Sequence, residues 1–268
     1  MSRFLAPIIK EIGPGRLRDL TPGKIRALAK RMYPNLKPQS LNTLVLCPVS
    51  AVLNHAHQFG LCNPIRIKHF KAEGARIQQT IDREWLYAFM RAAPPHLAAF
   101  ALFCFTTGSR PQEACNLRPE HFDLDKGIAI GGITKNGKHR VYYLTPEMVS
   151  MLRVLPPRRI SKGPHTGEHR VFGFTDARSI RREWIKVCEA AGLEYRTRYE
   201  AGRHSFFTEV IVRHGVDVVT AAKLGNVSPQ IALQRYAHAD APEKAAMKVF
   251  GTKSAQRKRR KLKVVGES

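Results

Sequence analysis

Four segments of the sequence carry side chains that could together act on a phosphate group. They are "TTGSRPQEACNL" with Arg110, "ITKNGKHRVYYL" with Lys135, "RTRYEAGRHSFFTEV" with Arg203, and "LGNVSPQIALQRYAHAD" with Tyr236. A guanidinium binds phosphate oxygens through two parallel hydrogen bonds, and an ammonium on a flexible stem can reach a phosphate. A phenol hydroxyl is a nucleophile only where a base and cations activate it. The chemistry open to this set is phosphoryl transfer to Tyr236.

Each of these residues also has an ordinary structural interpretation. Taken alone, Arg110 fits a surface turn between helices, and Lys135 fits a hairpin kept polar for solubility. A tyrosine such as Tyr236 usually packs its ring in a core. His204, next to Arg203, is as compatible with a buried or capping histidine as with a site residue.

The elements that must position these side chains can be placed by their local signals. Gly108 predicts the end of a buried helix, Ser109 and Gln112 have capping-box spacing, and Pro111 suits a first helical turn. Arg110 is therefore expected at a helix N-terminus, where free N–H groups favour anions.

The other three segments have equally local signals. The pair Asn136 and Gly137 predicts a tight hairpin with Lys135 beside the turn. Arg203 and His204 are expected to open another helix, and Ser228 is expected to cap a short helix that ends near Tyr236. Two arginines at separate helix starts would form an electrostatic clamp for a phosphorane.

The composition favours a nucleic-acid partner. The 268 residues include 45 Lys and Arg against 21 Asp and Glu, which gives a formal net charge of +24. A compact protein carries such a charge most readily when its usual partner is anionic. The 43% of hydrophobic residues is sufficient for a sizeable core.

Several classes of protein lack support in the sequence. No apolar run reaches the ~18 residues of a membrane span, and no secretory signal is visible. The five cysteines are widely spaced and mostly in apolar stretches, which suggests reduced thiols in a cytoplasm. No Cys/His spacing typical of a metal site occurs, so neither a metal nor a cofactor is expected.

The order of the patterns predicts a mainly α protein with a small antiparallel β-sheet. The expected divisions are an N-terminal extension (1–14), a helical DNA-binding domain (15–63), a basic linker (64–80), a mixed α+β catalytic domain (81–250) and a basic tail (251–268). The hydrophobic period of 3.6 in residues 22–63 and 82–107 carries the helical part of this prediction.

The four segments, in this order, resemble the catalytic half of the tyrosine recombinase (phage integrase) family. The likeness covers roughly residues 82–245, and the basic helical region before it is similar to that family's core-binding domain. By this resemblance, Arg110 and Arg203 are the catalytic arginines, Lys135 is the hairpin lysine and Tyr236 is the nucleophile. Four motifs in the right order are much more specific than any one of them.

The resemblance implies a mechanism and a set of partners. Tyr236 would attack a phosphate of double-stranded DNA to give a 3'-phosphotyrosyl intermediate, and a 5'-hydroxyl would later reverse the step. Lys135 would protonate the departing 5'-oxygen, while Arg110 and Arg203 hold the non-bridging oxygens. The family also implies a tetramer on two DNA sites, an accessory DNA-bending protein as a possible partner, and a cytoplasmic, nucleoid-associated enzyme of a prokaryote, archaeon, phage or mobile element.

Two positions depart from the family pattern. A histidine usually lies three residues before the second arginine, where this chain has Glu200, or Tyr199 if the loop is one residue longer. The later His or Trp is here Asn226, whose amide can donate a hydrogen bond but cannot shuttle protons. Glu200 could accept the phenolic proton, although its charge repels a phosphate.

Two other functions remain open at this point. One is a DNA-binding accessory protein of the same fold with weak or no strand cleavage. The departures from the family pattern at Glu200 and Asn226 are consistent with this function. The other is a type IB topoisomerase-like enzyme, which shares the chemistry without exchange between two sites.

Overall fold

The computed structural model describes residues 2–71, 79–133 and 139–236 of the chain. The chain divides into two compact units, Met1–Ile77 and Gln78–Ser268. The prediction of a mainly helical protein with a small antiparallel sheet is confirmed. The hairpin turn with Lys135, the C-terminal part of the expected catalytic domain after Tyr236, and the basic tail lie outside the described residues.

The first unit is a helical domain with its own apolar core. Thr21 caps the second helix by accepting the N–H of Lys24, and Pro22 occupies its first turn. Ile25, Leu28 and Ala29 are buried on one face of this helix. The helices are α1 (Ser2–Ile12), α2 (Pro22–Met32), α3 (Pro38–Leu41) and α4 (Cys47–Gln58).

Pro48 does not break the helical path of the first unit. A π-helical turn, Asn42–Leu46, lies between α3 and α4, immediately before this proline. Proline lacks the N–H of a regular helical bond, and a π-turn is one of the irregularities that accommodate it. Pro48 is therefore accommodated by a local change of helical pitch.

Two segments assigned outside the helical domain by sequence pack onto its core. In the expected N-terminal extension, Ile8 of α1 is part of this core and is only 2% exposed. In the expected linker, the Asn42 side chain accepts the Phe70 N–H at 2.8 Å and donates to the Phe70 carbonyl at 2.9 Å. Ile65 and Ile67 alternate inward against the core. These contacts hold the first half of the linker on the domain.

The second unit is built around one buried helix, α6. Its sequence is apolar on all sides, and eleven of its thirteen residues are buried, as expected for a helix with neighbours all round. The helices of this unit are α5 (Arg83–Ala92), α6 (Pro95–Thr107), α7 (Pro111–Cys115), α8 (Pro146–Val154), α9 (Arg181–Ala190), α10 (Ser205–Phe207), α11 (Val218–Gly225) and α12 (Pro229–Tyr236).

A three-stranded antiparallel sheet in the order β1, β2, β3 covers one side of the second unit. Ile130 pairs with Val141, and the register shifts between Gly131 and Ile133. In β3 the odd positions face outward while Arg140 and Tyr142 are buried. The strands are β1 (Phe122–Asp123), β2 (Ile128–Ile133) and β3 (His139–Tyr143), with a separate pair, β4 (Arg158–Arg159) and β5 (His169–Arg170).

A helical stretch through residues 198–213 crosses α6 at very close range. It consists of α10 between two π-helical turns, Glu200–His204 and Thr208–Arg213. A Cβ atom on Gly202 would lie 2.8 Å from the Cβ of Cys104 on α6. Only glycine permits this approach, and Arg203 is consequently held against the end of α6.

Candidate functional site

The site is organised by the turn that joins α6 to α7, residues 107–110. Gly108 adopts the left-handed conformation with φ of 61° and ends α6, as predicted. A Cβ on Gly108 would lie 2.5 Å from the ring of Phe206, so both its backbone angles and its space require glycine. Arg110 follows this turn and is the N-cap of α7.

The capping residues of α7 differ from the sequence prediction. The predicted pair was Ser109 and Gln112, but the carboxylate of Glu113 accepts the N–H of Arg110 at 3.2 Å. Ser109 is buried, and Gln112 bonds instead to the backbone of residues 175 and 177. The prediction was wrong by one residue because a buried serine cannot serve the exposed helix start.

Glu113 links two arginines. One carboxylate oxygen accepts from the Arg110 guanidinium at 2.7 Å, and the other accepts from the buried guanidinium of Arg140. Burial by itself would raise the pKa of Glu113, but the neighbouring charges of Arg140 and Arg110 outweigh it and lower this pKa. Glu113 is thus an ionised carboxylate shared by two cations.

Arg203 approaches the same turn from the other side. Its side chain is buried at 2% exposure, and one nitrogen donates to the Gly108 carbonyl at 2.8 Å. Burial, together with the nearby charge of Arg110, lowers the pKa of Arg203 to about 10. At neutral pH it remains a cation. The structure therefore brings Arg110 and Arg203 close together at one turn. The expected position of Arg203 at a helix start is wrong, because the helical stretch begins at residue 198, after Thr197, and Arg203 lies inside it.

Asn226 also lies beside Arg203. It is the only residue other than glycine with positive φ among the described residues, with φ of 50° and ψ of 60°, and it ends α11. Its carbonyl faces an Arg203 nitrogen at the long distance of 3.5 Å. A cavity of about 200 Å³ is lined by Asn226, Glu113 and Arg140, among others. Asparagine tolerates the left-handed conformation better than most residues, which gives it a backbone role.

This backbone role can be tested by stability. We expect Asn226→Ala to lower the free energy of unfolding by about 1 kcal/mol, because alanine is strained in the left-handed conformation. Asn226→Gly should stay within about 0.5 kcal/mol of wild type, since glycine adopts this conformation freely. Urea unfolding measures both variants. Equal destabilisation by Gly and Ala would contradict the conformational explanation.

Glu200 caps a helix. Its carboxylate accepts the N–H of Thr197 at 2.9 Å, and the Thr197 hydroxyl accepts the N–H of Glu200 at 3.1 Å. This reciprocal pair is a capping box, and it directs the carboxylate to the start of the helical stretch. The ring of Tyr199 contacts that of His204 edge-on, with centroids 4.8 Å apart, and Tyr199 is within electrostatic range of Arg203.

His204 is buried beside this group of cations. Burial, followed by the charge of Arg235, lowers the pKa of His204 to about 4. The imidazole is therefore neutral at pH 7. Since Arg235 precedes Tyr236 at the end of α12, this interaction shows that the end of α12 lies near the arginine site.

The depressed pKa of His204 predicts a loss of stability in acid. Between pH 6.5 and about 4 the unfolded chain binds a proton that the folded chain does not, so stability falls as the pH falls through this window. The loss attributable to His204 should reach up to roughly 3 kcal/mol. We expect His204→Gln to remove this part of the pH dependence in urea unfolding at pH 7, 6, 5 and 4.5. An unchanged pH profile would contradict the assignment.

Tyr236 is the last residue of α12. Ser228 accepts the N–H of Ile231 at 3.3 Å, so the predicted cap is confirmed. Within α12, Ile231 and Leu233 are exposed and Ala232 is buried. The side chain of Tyr236, like the whole of Lys135, lies outside what the structure describes.

Sequence reasoning missed two residues of this site, Glu113 and Arg140. Glu113 follows Arg110 at capping-box spacing, which was a usable signal. Arg140 stands at an inward position of a strand that otherwise alternates, where a charged residue requires a buried partner. That signal depends on the strand register, which the sequence shows only weakly.

Two further properties concern the residues that the structure describes. They contain no cluster of three or more His, Cys, Asp or Glu side chains suited to a metal ion. None of their helices combines the length and apolar character that a bilayer crossing requires.

Comparison with known proteins identifies the relatives of this fold. The sequence profile described as the phage integrase family matches residues 79–243. The integrase of transposon Tn1549, in a complex with circular intermediate DNA, is 15% identical with a TM-score of 0.70, and the match covers 96% of this chain and 91% of that one. A search of curated proteins finds no match.

Two other DNA-bound proteins share the fold. Lambda integrase, as a dimer on a COC' core site, is 15% identical with a TM-score of 0.63, and the match covers 87% of this chain and 86% of that one. The XerH site-specific recombinase, bound to a difH substrate, is 15% identical with a TM-score of 0.58, covering 86% and 70%. At these identities the likeness concerns the fold, which extends through both units.

Proposed function

This chain belongs to the phage integrase family and is a site-specific DNA recombinase, and we propose that it cuts and rejoins DNA strands through a covalent bond to Tyr236. The observation that carries the proposal is the joining of two arginines at one turn. Arg203 donates to the carbonyl of Gly108, and Arg110 follows that glycine by two residues. Two cations held this close, one buried and one exposed, suit a single phosphate.

The proposed reaction is an exchange of phosphate esters. The Tyr236 oxygen forms a bond to phosphorus, the bond to the 5'-oxygen breaks, and a 3'-phosphotyrosyl ester results. Lys135 gives the leaving oxygen its proton, and the phenolic proton passes to a nearby base or water. Arg110 and Arg203 stabilise the charge that grows on the non-bridging oxygens. Attack by another 5'-hydroxyl reverses the step without an external energy source.

The two departures from the family pattern receive different roles in this proposal. Glu200 keeps its helix start in place through Thr197, and we assign it a supporting role in holding Arg203. Asn226 borders the cavity that Glu113 and Arg140 also line, and its amide is suited to donate to a phosphate oxygen. A hydrogen-bond donor at this position needs no change in protonation.

The proposed partner is double-stranded DNA, bound by both units. Support comes from the net charge of +24 and from the exposed cations of the first unit, including Lys24, Lys30 and Arg31 on α2 and Arg66 and Lys68 in the extended segment. We further propose assembly as a tetramer on two DNA sites, with an accessory DNA-bending protein as an additional partner, and action in the cytoplasm at the nucleoid.

Covalent trapping tests the proposed function. Duplexes bound by the full chain are selected from a randomised library and then nicked close to each candidate phosphate, so that the short 5'-hydroxyl fragment diffuses away after cleavage. We expect a protein–DNA adduct that survives denaturation. Salt-sensitive binding without any adduct would favour the DNA-binding accessory protein, and plasmid relaxation without exchange between two sites would favour the topoisomerase-like enzyme.

A further inference from the structure

Arg140 is a buried cation at the site that the proposed reaction does not use. It lies on β3, two residues after the segment that contains Lys135, and is 5% exposed. Its guanidinium carbon lies 4.4 Å from the centre of the Tyr142 ring. Among the described residues its Nε has no hydrogen-bond partner. Burying a guanidinium costs desolvation free energy, so the other contacts of Arg140 must offset that cost.

Those contacts join Arg140 to Thr107, at the start of the turn that carries Arg110, and to Glu113 on α7 just after it. One terminal nitrogen donates to the carbonyl of Thr107 at 3.0 Å, and the other donates to the carboxylate of Glu113. Arg203 donates to the next carbonyl, that of Gly108. Two buried arginines from separate elements therefore hold successive carbonyls at the end of α6. The backbone that carries Arg110 is fixed from both sides.

The charges give Arg140 a second effect on Arg110. Glu113 accepts from Arg110 with one oxygen and from Arg140 with the other. The three side chains together carry a net charge of +1. Without Arg140, the carboxylate would pair with Arg110 alone, and the pair would be neutral. The half-exposed guanidinium of Arg110 would then attract a phosphate less strongly.

We propose that Arg140 is a positioning residue for DNA cleavage, which aims the Arg110 guanidinium and keeps its charge available to the scissile phosphate. It acts through the Thr107 carbonyl and the Glu113 carboxylate and does not touch the DNA itself. This inference rests on the proposed function.

The test compares Arg140→Met and Arg140→Lys with the wild-type chain on two versions of the selected, nicked duplex. One has a normal scissile phosphate, and the other has an uncharged methylphosphonate at that position. Methionine keeps an apolar stem without charge or donors. Lysine keeps the charge, but its single ammonium cannot span Thr107 and Glu113 as the guanidinium does. The measurement is the single-turnover rate of strand cleavage.

Arg170 provides a matched control. It is equally buried at 4% exposure, donates to the Asn116 carbonyl, pairs with Glu168, and likewise has an Nε without a partner among the described residues. These hydrogen bonds and this ion pair do not involve the turn at residues 107–110 or Glu113. Arg170→Met therefore controls for the loss of stability that follows from removing a buried arginine.

We expect Arg140→Met to slow cleavage of the phosphate duplex by about 100-fold, and Arg140→Lys by about 10-fold, because a misplaced cation stabilises the transition state poorly. On the methylphosphonate the losses should shrink to about threefold, since there is less charge to stabilise. Arg170→Met should match wild type on both. If Arg140→Met does not fold, the cleavage rates of Arg140→Lys and wild type on the two duplexes test the inference.

Three results would overturn the inference, and they can be told apart. Equal losses on both duplexes would mean that Arg140 has only a structural role, and wild-type rates in both Arg140 variants would mean that it has no role. In either case the proposed function stands, because the wild-type chain cleaves. If the wild-type chain cleaves neither duplex, the proposed function fails and this inference fails with it.

Discussion

Tyr236→Phe is expected to abolish the covalent adduct while leaving DNA binding within about twofold of wild type. Phenylalanine keeps the ring and removes only the hydroxyl, so no oxygen remains to bond to phosphorus. The loss should reach the detection limit, at least about 10³-fold in single-turnover cleavage, since a nucleophile has no partial substitute. Denaturing gel electrophoresis of labelled duplexes measures the adduct, and a filter or mobility assay measures binding.

The matched control is Tyr143→Phe. Tyr143 lies at an outward position of β3 and is 64% exposed, so its hydroxyl is accessible on the face of the strand opposite to Arg140. This variant should form the adduct at the wild-type rate. An adduct that persists in Tyr236→Phe would show that another residue is the nucleophile, and the assignment of Tyr236 would then be wrong.

Arg203→Lys is expected to slow strand cleavage by about 10² to 10³-fold, the usual cost of losing one donor to an oxyanion. A guanidinium can donate to the Gly108 carbonyl with one nitrogen and present others to a phosphate, but an ammonium cannot maintain this geometry. Overall DNA affinity should fall by less than about fivefold, because Arg203 is one of 45 Lys and Arg residues. Single-turnover cleavage and binding at the same salt concentration separate the two effects.

Arg213→Lys is the corresponding control on the same helical stretch. Arg213 is exposed and pairs with Glu209 one turn earlier, an arrangement that a lysine can replace. Its cleavage rate should equal that of wild type. If Arg203→Lys lowered affinity and cleavage by the same factor, Arg203 would serve general DNA binding, and its role at the reacting phosphate would be contradicted.

The sequence by itself determined the fold class, the basic character and the order of the four motifs. These properties depend on residues close together in the chain, such as the periodicity of α2 and the capping of α12 by Ser228. The end of α6 at Gly108 could also be predicted from the sequence, because it depends only on the backbone angles of this glycine and on its immediate neighbours. Local chemistry of this kind requires no knowledge of the tertiary fold.

The tertiary structure decided which residues form the site and what each of them contacts. Arg203 and Gly108 are 95 positions apart, and Arg140 and Thr107 are 33 apart, so no local pattern reveals these bonds. The same holds for the packing of residues 62–71 on the first unit through Asn42. Burial explains why these contacts form, because a guanidinium or amide removed from water must find its partners within the protein, wherever in the chain they lie.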